Sequence, residues 1–297
     1  MTGTPTAAIS LVMPPLYKRS DELSLQAQQS YLSSSVFELV AMTLAAFVAA
    51  TSFTLSIHGS QIKVPYAISG MLFAVALLAR LHRQRRGHKN EWFLQRALSE
   101  SIKSLAWRYA MCGQPFPKDL PASEASVLFR ARTRQMISGP GYTPHDSDLI
   151  TRSMVDARAS SLTARKAMYL TGRIMDQYEW YTAKARYNRR REVRLGHFGA
   201  SVQIIALFGA ALSALSIVNF DMLGVCAATV ASLEAYAQLR QHRNLATAYE
   251  IAAQELNQVR AIISTEEFDE SEWCTLVDDA EEAISREHTS WLATKAL

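Results

Sequence analysis

The sequence predicts an all-α membrane protein with four transmembrane helices in two hairpins and long cytoplasmic amphipathic helices. Three observations predict this class: four long charge-poor apolar runs, basic residues clustered at one side of these runs, and apolar residues at helical spacing between them. Hydrophobic residues make up 49% of the 297 residues and charged residues 20%, but the apolar residues come in blocks. The blocks, rather than the average composition, therefore decide the class.

The first pair of runs occupies 39–57 and 64–79. The segment "LVAMTLAAFVAATSFTLSI" has 19 residues, enough helix to cross about 30 Å of hydrocarbon at about 1.5 Å per residue. The segment "VPYAISGMLFAVALLA" has Pro65 in its first turn, where the missing N–H costs nothing. Because only "HGSQIK" separates the runs, we predict a tight helical hairpin.

A second pair of runs, 198–218 and 222–239, is separated only by "NFD". Each pair is followed by basic residues and an amphipathic segment, so the chain resembles two copies of one unit. Two buried hairpins of a soluble bundle are the alternative, although four such runs are rare in soluble proteins. The predicted divisions are a cytoplasmic N-terminal segment (1–35), a first two-span unit with its juxtamembrane helix (36–112), a cytoplasmic linker and helix (113–160), and a second two-span unit with cytoplasmic C-terminal helices (161–297).

Basic residues flank the runs asymmetrically. The two hairpin tips contain only Lys63, whereas lysines and arginines cluster within 80–89, 184–194 and 240–243. By the positive-inside rule, both termini and the long middle segment are cytoplasmic. The first 35 residues lack the pattern of a cleaved signal peptide.

The segment 166–191, "KAMYLTGRIMDQYEWYTAKARYNRRR", combines aromatic and basic residues. A nucleic-acid surface is one interpretation, but the arginines stop a few residues before a predicted span. Anchoring at anionic headgroups explains them more simply. We predict a structural joint with the acidic tail, at Glu282 or Glu287, and a messenger-binding pocket is the alternative. The residues of this joint are Arg173, Gln177, Trp180, Tyr181 and Lys184.

Amphipathic helices are predicted outside the spans, at 91–111, from about 123 to 137, and from about 146 into the third span. Past the fourth span, apolar residues recur four and three apart from Leu245 to Ile263, a short coiled-coil-like seam. The acidic tail after it has an apolar inner line. This tail is either a solvated face or a segment that docks on the basic helices and links the two units.

Polar residues inside the spans are the candidates for lining a pore, because polar groups at membrane depth are costly unless they face protein or water. Glu234 lies about 18 Å along the helix from Met222. Gln203 lies near the cytoplasmic start of the third span. The alternative is that these two residues pair with each other or with a nearby arginine. The complete set of pore-lining candidates is Gln203, Ser213, Ser216, Thr229, Ser232 and Glu234.

The sequence contains few features that indicate an enzyme. There is no HExxH, GxSxG or Walker lysine loop. The three cysteines are far apart and form no CxxC pair, so we expect no metal site and no cofactor. The net charge of +4 is too small to imply a nucleic-acid partner.

Three stretches, "EWFLQRALSESIKSLAWRYAMCGQPF", "YLTGRIMDQYEWYTAKARYNRR" and "AEEAISREHTSW", resemble the bacterial SLATT family as two tandem units. Members are membrane effectors with paired transmembrane helices, associated with SMODS and SLOG modules. The resemblance implies a pore-forming or depolarising membrane effector in a bacterial conflict system that responds to a nucleotide-derived signal. A separate sensor or synthase would supply that signal. Because four helices of one chain scarcely enclose a channel while also packing against one another, we expect such a pore to require a homo-oligomer in the bacterial inner membrane. The alternative function is a non-conducting membrane scaffold or sensor that recruits cytoplasmic partners.

Overall fold

Helices form most of the structure, a computed structural model that describes residues 11–51, 54–57, 60–137, 149–218 and 220–296. Four helical stretches are long and apolar enough to cross a membrane, which confirms the all-α class and the four spans. The elements are α1 (Pro15–Ala49), β1 (Thr54–Ile57), β2 (Ser60–Lys63), α2 (Val64–Arg86), α3 (His88–Met111), α4 (Ala122–Met136), α5 (Arg152–Ala159), α6 (Leu162–Tyr169), a π-helical segment (Leu170–Met175), α7 (Asp176–Ala214), α8 (Met222–Arg240), α9 (His242–Thr265) and α10 (Glu270–Ala296).

The chain forms two compact units, and each draws on both halves of the sequence. The membrane unit comprises 27–89 and 186–246, and the core unit comprises 1–26, 90–185 and 247–297. The divisions predicted from the sequence instead run consecutively along the chain, as two successive copies of one unit. These divisions stay a prediction.

The region between the first two spans differs from the prediction. Helix α1 ends at Ala49, whereas the predicted span continued to Ile57. The strands β1 and β2 instead pair antiparallel, with Thr54 opposite Lys63. The segments "TLSI" and "SQIK" contain the β-branched residues Thr54, Ile57 and Ile62, a residue type that favours strands.

The third span also ends earlier than predicted, at Ala214 instead of residue 218. Ser216 adopts a left-handed conformation with φ 56°. The Ile217 N–H then donates to the Leu212 carbonyl at 3.0 Å, which is the six-to-one bond of a Schellman motif. Ser216 is therefore part of a helix-terminating turn.

Side-chain hydrogen bonds connect α1 to two other helices of the membrane unit. Ser69 of α2 donates to the Ala45 carbonyl at 2.9 Å. Thr43 Oγ1 and Ser232 Oγ of α8 lie 2.8 Å apart in a hydrogen bond. Such bonds satisfy hydroxyl groups that lipid would leave without partners.

Glycines bring α7 and α8 into close contact. A Cβ atom at Gly209 would lie 2.7 Å from Met222 Cβ, and one at Gly199 would lie 3.3 Å from Leu233 Cδ2. Met222 Cβ cannot swing away as the end of a long side chain could, so any side chain at Gly209 would push the helices apart.

We therefore expect Gly209→Ala to destabilise the membrane unit by about 1–3 kcal/mol, the usual cost of overpacking a close contact. Gly70→Ala is the matched control, because Gly70 also lies in a membrane-capable helix but has no atom within 4 Å of the added Cβ. The thermal stability of the detergent-solubilised chain measures both changes. Equal stability of the two variants would contradict the close contact at Gly209.

The core unit has a large aromatic core. Tyr169 packs edge-on against Trp107 and Trp273, with ring centroids 5.7 and 5.8 Å apart. The predicted seam of α9 supplies Leu256 and Ile263 to this core. The inner line of the acidic tail is buried as well, including Trp273, Val277 and Ala280.

The helix predicted from about residue 146 is interrupted before it enters the third span. Helix α5 ends at Ala159, and Ser161 caps α6 by accepting a hydrogen bond from the Ala164 N–H. The predicted start of this helix, near residue 146, lies outside the described residues. The predicted continuation into the third span is present as the π-helical segment followed by α7.

Candidate functional site

The predicted joint is a buried ion pair in the core unit. Arg173 Nε and Nη2 donate to Glu281 Oε1 and Oε2 at 2.9 and 2.7 Å, a bidentate arrangement. The side chains are 1% and 0% exposed. The two charged side chains are therefore almost completely shielded from water, and their bidentate hydrogen bonds replace hydrogen bonds to water.

Tyr169 completes this cluster by donating its hydroxyl to Glu281 Oε1 at 3.0 Å. Burial and the neighbouring carboxylate raise the pKa of Tyr169, so the hydroxyl keeps its proton. Burial disfavours the charged form of Arg173, but Glu281 outweighs this effect and the pKa of Arg173 is raised.

The π-helical segment lies between Tyr169 and α7, and Arg173 belongs to it. A π-bulge inserts one extra residue into a helical turn and rotates the side chains on either side of it relative to a regular helix. Tyr169, just before this segment, and Arg173, within it, both bond to the carboxylate of Glu281.

The predicted partner of Arg173 is wrong by one residue. Glu282 is exposed, and the side chain of Glu287 lies outside the described part. Glu281 follows Val277 by four residues and precedes Ile284 by three, so all three share one face of α10. The apolar face of α10 can be recognised in the sequence, and the position of Glu281 on that face indicates that Glu281, rather than Glu282, is the buried carboxylate.

The other joint residues have separate contacts. Gln177 is buried and donates to the carboxylate of Asp176 at 3.1 Å. Tyr181 is 4% exposed and belongs to the apolar core of its unit. Trp180 packs edge-on against Tyr249 of α9 at 5.4 Å, and Lys184 Nζ lies 5.5 Å from the Trp180 ring.

The acidic tail docks on basic residues, as the sharper of the two interpretations predicted. Arg108 of α3 pairs with Asp278 at 2.7 Å. Arg165 of α6 pairs with Glu270. Trp273 donates its indole N–H to the Met111 carbonyl at 2.8 Å. Helix α10 thus contacts residues from both of the predicted two-span units.

The pore-lining candidates divide between two environments. Thr229 and Ser232 are half-buried, and Ser232 is bonded to Thr43. The remaining candidates, Gln203, Ser213, Ser216 and Glu234, are exposed. Ser232 and Glu234 differ by two positions, about 200° around the helix, so they face opposite sides of α8.

Gln203 and Glu234 do not pair. Within the described residues, neither side chain has a hydrogen-bond or ion-pair partner. Their proposed mutual bond is therefore not present within one chain. Pore lining by these residues stays a prediction.

No group of three or more metal-binding side chains occurs in the portion of the chain that the structure describes. The three cysteines are free and buried. The expectation that the protein has no metal and no cofactor remains a prediction.

Two family models match the chain in tandem. The model of SMODS and SLOG-associating 2TM effector domain 3 matches residues 14–166, just over half of the chain. The model of SMODS and SLOG-associating 2TM effector domain 1 matches residues 169–291. The chain belongs to the SLATT family. No curated protein and no solved structure matches it.

The two SLATT matches each contain two of the membrane-capable stretches. The first covers α1 and α2, and the second covers all of α7 and α8. This SLATT protein is therefore a multi-pass membrane protein with two effector domains in one chain. The boundary between the matches, at 166–169, falls in α6, immediately before the π-helical segment.

Proposed function

We propose that this SLATT protein is a homo-oligomeric effector that permeabilises or depolarises the bacterial inner membrane during a conflict response, such as defence against phage. The observation that carries the proposal is Glu234, an exposed carboxylate inside the membrane-capable part of α8 that has no hydrogen-bond or ion-pair partner among the described residues. A charge at the middle of a span costs about 2.5–3.5 kcal/mol when it faces lipid. Water or a second protomer would remove that cost.

The exposed face of α8 supports the oligomer. Small residues recur along this face at Ala227, Ala231 and Ala235, and the polar residues Glu234 and Gln238 lie beside them. Small residues let a second helix approach closely, and polar side chains bond across such an interface. Several copies meeting along this face would place a ring of Glu234 carboxylates around a shared path, and acidic rings favour cations.

The trigger in our proposal is a nucleotide-derived signal delivered through a separate sensor or synthase, with no nucleic-acid partner and no enzymatic step in this chain. The description of the SLATT models as SMODS and SLOG-associating supports this arrangement. Basic residues near the membrane-capable stretches support an orientation with both termini in the cytoplasm.

The non-conducting scaffold remains the alternative function, but its expected docking surfaces are largely occupied. The seam of α9 and the inner line of α10 are buried within the core unit. Recruitment would therefore depend on the exposed polar faces of these helices.

Expression in bacteria, with membrane potential and dye entry as readouts, tests the proposal. We expect the wild type to depolarise the membrane, and Glu234→Ala and Glu234→Gln to slow depolarisation by about tenfold, equivalent to losing about 1.4 kcal/mol of interaction with a permeating cation. Gln203→Leu tests the exposed polar position on α7. Glu267→Ala is the control, since Glu267 is exposed outside the predicted spans.

Membrane levels of all variants must match. A membrane that stays sealed at high expression in the presence of the trigger would contradict the effector function and favour the scaffold. Unchanged depolarisation by Glu234→Ala and Glu234→Gln would contradict the role of this carboxylate.

A further inference from the structure

We propose that a groove between α1 and α2 of the membrane unit binds an anionic phospholipid. The phosphate would lie at His82 and Arg85, and an acyl chain would lie along the apolar floor. This site is independent of the proposed conduction, because it lies on a different helix pair from Glu234.

The groove combines an apolar floor with a polar end. Its volume is about 840 Å³, within the range of ordinary ligand sites. Phe37, Val75 and Leu78 contribute to the floor, and Ser34, His82 and Arg85 contribute to the polar end. A lipid has the same two parts.

The position of the groove along α2 suits a lipid in a bilayer leaflet. Ten residues separate Val75 from Arg85, which is about 15 Å of helix. Val75 lies within the charge-free part of α2, and Arg85 lies in its last turn. The groove therefore extends from hydrocarbon depth to headgroup level. Helix α1 follows the same order, with Phe37 deeper than Ser34.

The charges around the groove favour an anion. Glu38 is the only acidic residue in the segment 27–89, which contains six lysines and arginines. Its carboxylate is already paired with Arg83 at 2.6 Å. Among the residues that the structure describes, Arg80, Arg85 and Arg86 have no acidic partner. A bound phosphate would compensate this unbalanced charge.

Arg83 is not available to the lipid. Besides pairing with Glu38, its guanidinium lies over the Tyr31 ring at 6.0 Å, so it holds α1 against α2. Arg85 is two positions further along and lines the groove. The helix therefore uses one arginine for packing and leaves the other for a ligand.

The apolar floor distinguishes a phospholipid from other occupants. Inorganic phosphate would meet the basic end but leave the floor uncovered. A second copy of this chain would bring the same excess of positive charge to the groove, and like charges repel. An acyl chain with an anionic headgroup satisfies both parts at once.

Photolabelling of the purified full-length chain in neutral detergent tests the site. The probe is phosphatidylglycerol with a photoactivatable group in its acyl chain, and mass spectrometry maps the labelled peptides. We expect labels on α1 near Phe37 and on α2 between Val75 and Arg85. Unlabelled phosphatidylglycerol should compete at least tenfold better than phosphatidylcholine or inorganic phosphate.

Three variants separate the contribution of the basic residue to lipid binding from the contribution of the shape of the groove. Arg85→Gln should weaken binding about fivefold, the usual contribution of one basic residue near an anionic lipid. Leu78→Trp should reduce labelling by filling the floor without changing charge. Arg80→Gln is the matched control, because it removes the same charge from the same helix outside the groove lining, and it should change binding less than twofold.

Four results would overturn the proposal: equal competition by phosphatidylcholine or inorganic phosphate, equal loss of binding in Arg80→Gln and Arg85→Gln, labels that map outside α1 and α2, or intermolecular crosslinks that show a second copy in the groove. Size-exclusion profiles establish that each variant is folded. Because depolarisation is not a readout here, failure of the lipid site leaves the test of the proposed function intact.

Discussion

Glu281→Gln is expected to destabilise the core unit by about 3–5 kcal/mol, the cost of leaving a buried charge without its partner. Glutamine keeps the shape of glutamate but cannot neutralise Arg173, which is 1% exposed. The hydroxyl of Tyr169 also loses a charged acceptor. Denaturant titration of the full chain in mild detergent, followed by tryptophan fluorescence, measures the change because Trp273 lies next to Tyr169.

Glu282→Gln is the matched control for this substitution. Glu282 is the next residue along α10 and is exposed, so its loss of charge is expected to change stability by less than about 0.5 kcal/mol. The double variant Arg173→Met with Glu281→Leu should be more stable than Glu281→Gln, since apolar residues of similar volume often replace a buried pair without loss. Equal stability of Glu281→Gln and Glu282→Gln would contradict a buried ion pair.

Arg158→Met is expected to have an effect of similar size, about 4 kcal/mol or more. The Arg158 guanidinium donates to the carbonyls of Phe116, Pro117 and Leu120 at 2.6, 2.8 and 2.9 Å. These carbonyls belong to the proline-rich turn after α3, where no helix or strand supplies donors. Loss of the partner of a buried carbonyl such as that of Phe116 costs about 1–3 kcal/mol, and the half-buried carbonyls of Pro117 and Leu120 add to this loss. The same denaturant titration measures the loss.

Arg152→Met is the control for Arg158→Met, because both arginines lie on α5. The Arg152 side chain is 88% exposed and pairs only with Asp156 on the same helix. Such a surface pair contributes about 0.3–0.5 kcal/mol. If Arg158→Met were no more destabilising than Arg152→Met, the turn would not depend on this guanidinium.

The prediction of the spans from sequence succeeded because it depended on local composition. A run of about 20 apolar residues has few alternatives to a membrane-crossing helix, whatever the rest of the chain does. The ends of those helices were less predictable. The turn at Ser216 and the ribbon between Thr54 and Lys63 depend on backbone hydrogen bonds, which composition reflects only weakly.

The joint was predicted in kind but not in detail. The sequence places Arg173 on one face of a helix and ends in an acidic tail, and these two features together predicted an ion pair. The buried pair of Arg173 and Glu281 is an ion pair of this kind. The choice of Glu281 over Glu282 depended on which face of α10 is buried. Arg158 was missed because its acceptors are backbone carbonyls, which leave no charge pattern in the sequence.

The sequence alone determined that the protein is helical, that four stretches can cross a membrane, and that it resembles the SLATT family in tandem. These properties depend on the order and polarity of neighbouring residues. Only the tertiary structure decided that Glu281 pairs with Arg173, that Ser232 faces α1 while Glu234 is exposed, and that a groove ending at Arg85 lies between α1 and α2. These properties depend on the packing of helices from distant parts of the chain, and packing sets which side of each helix is buried.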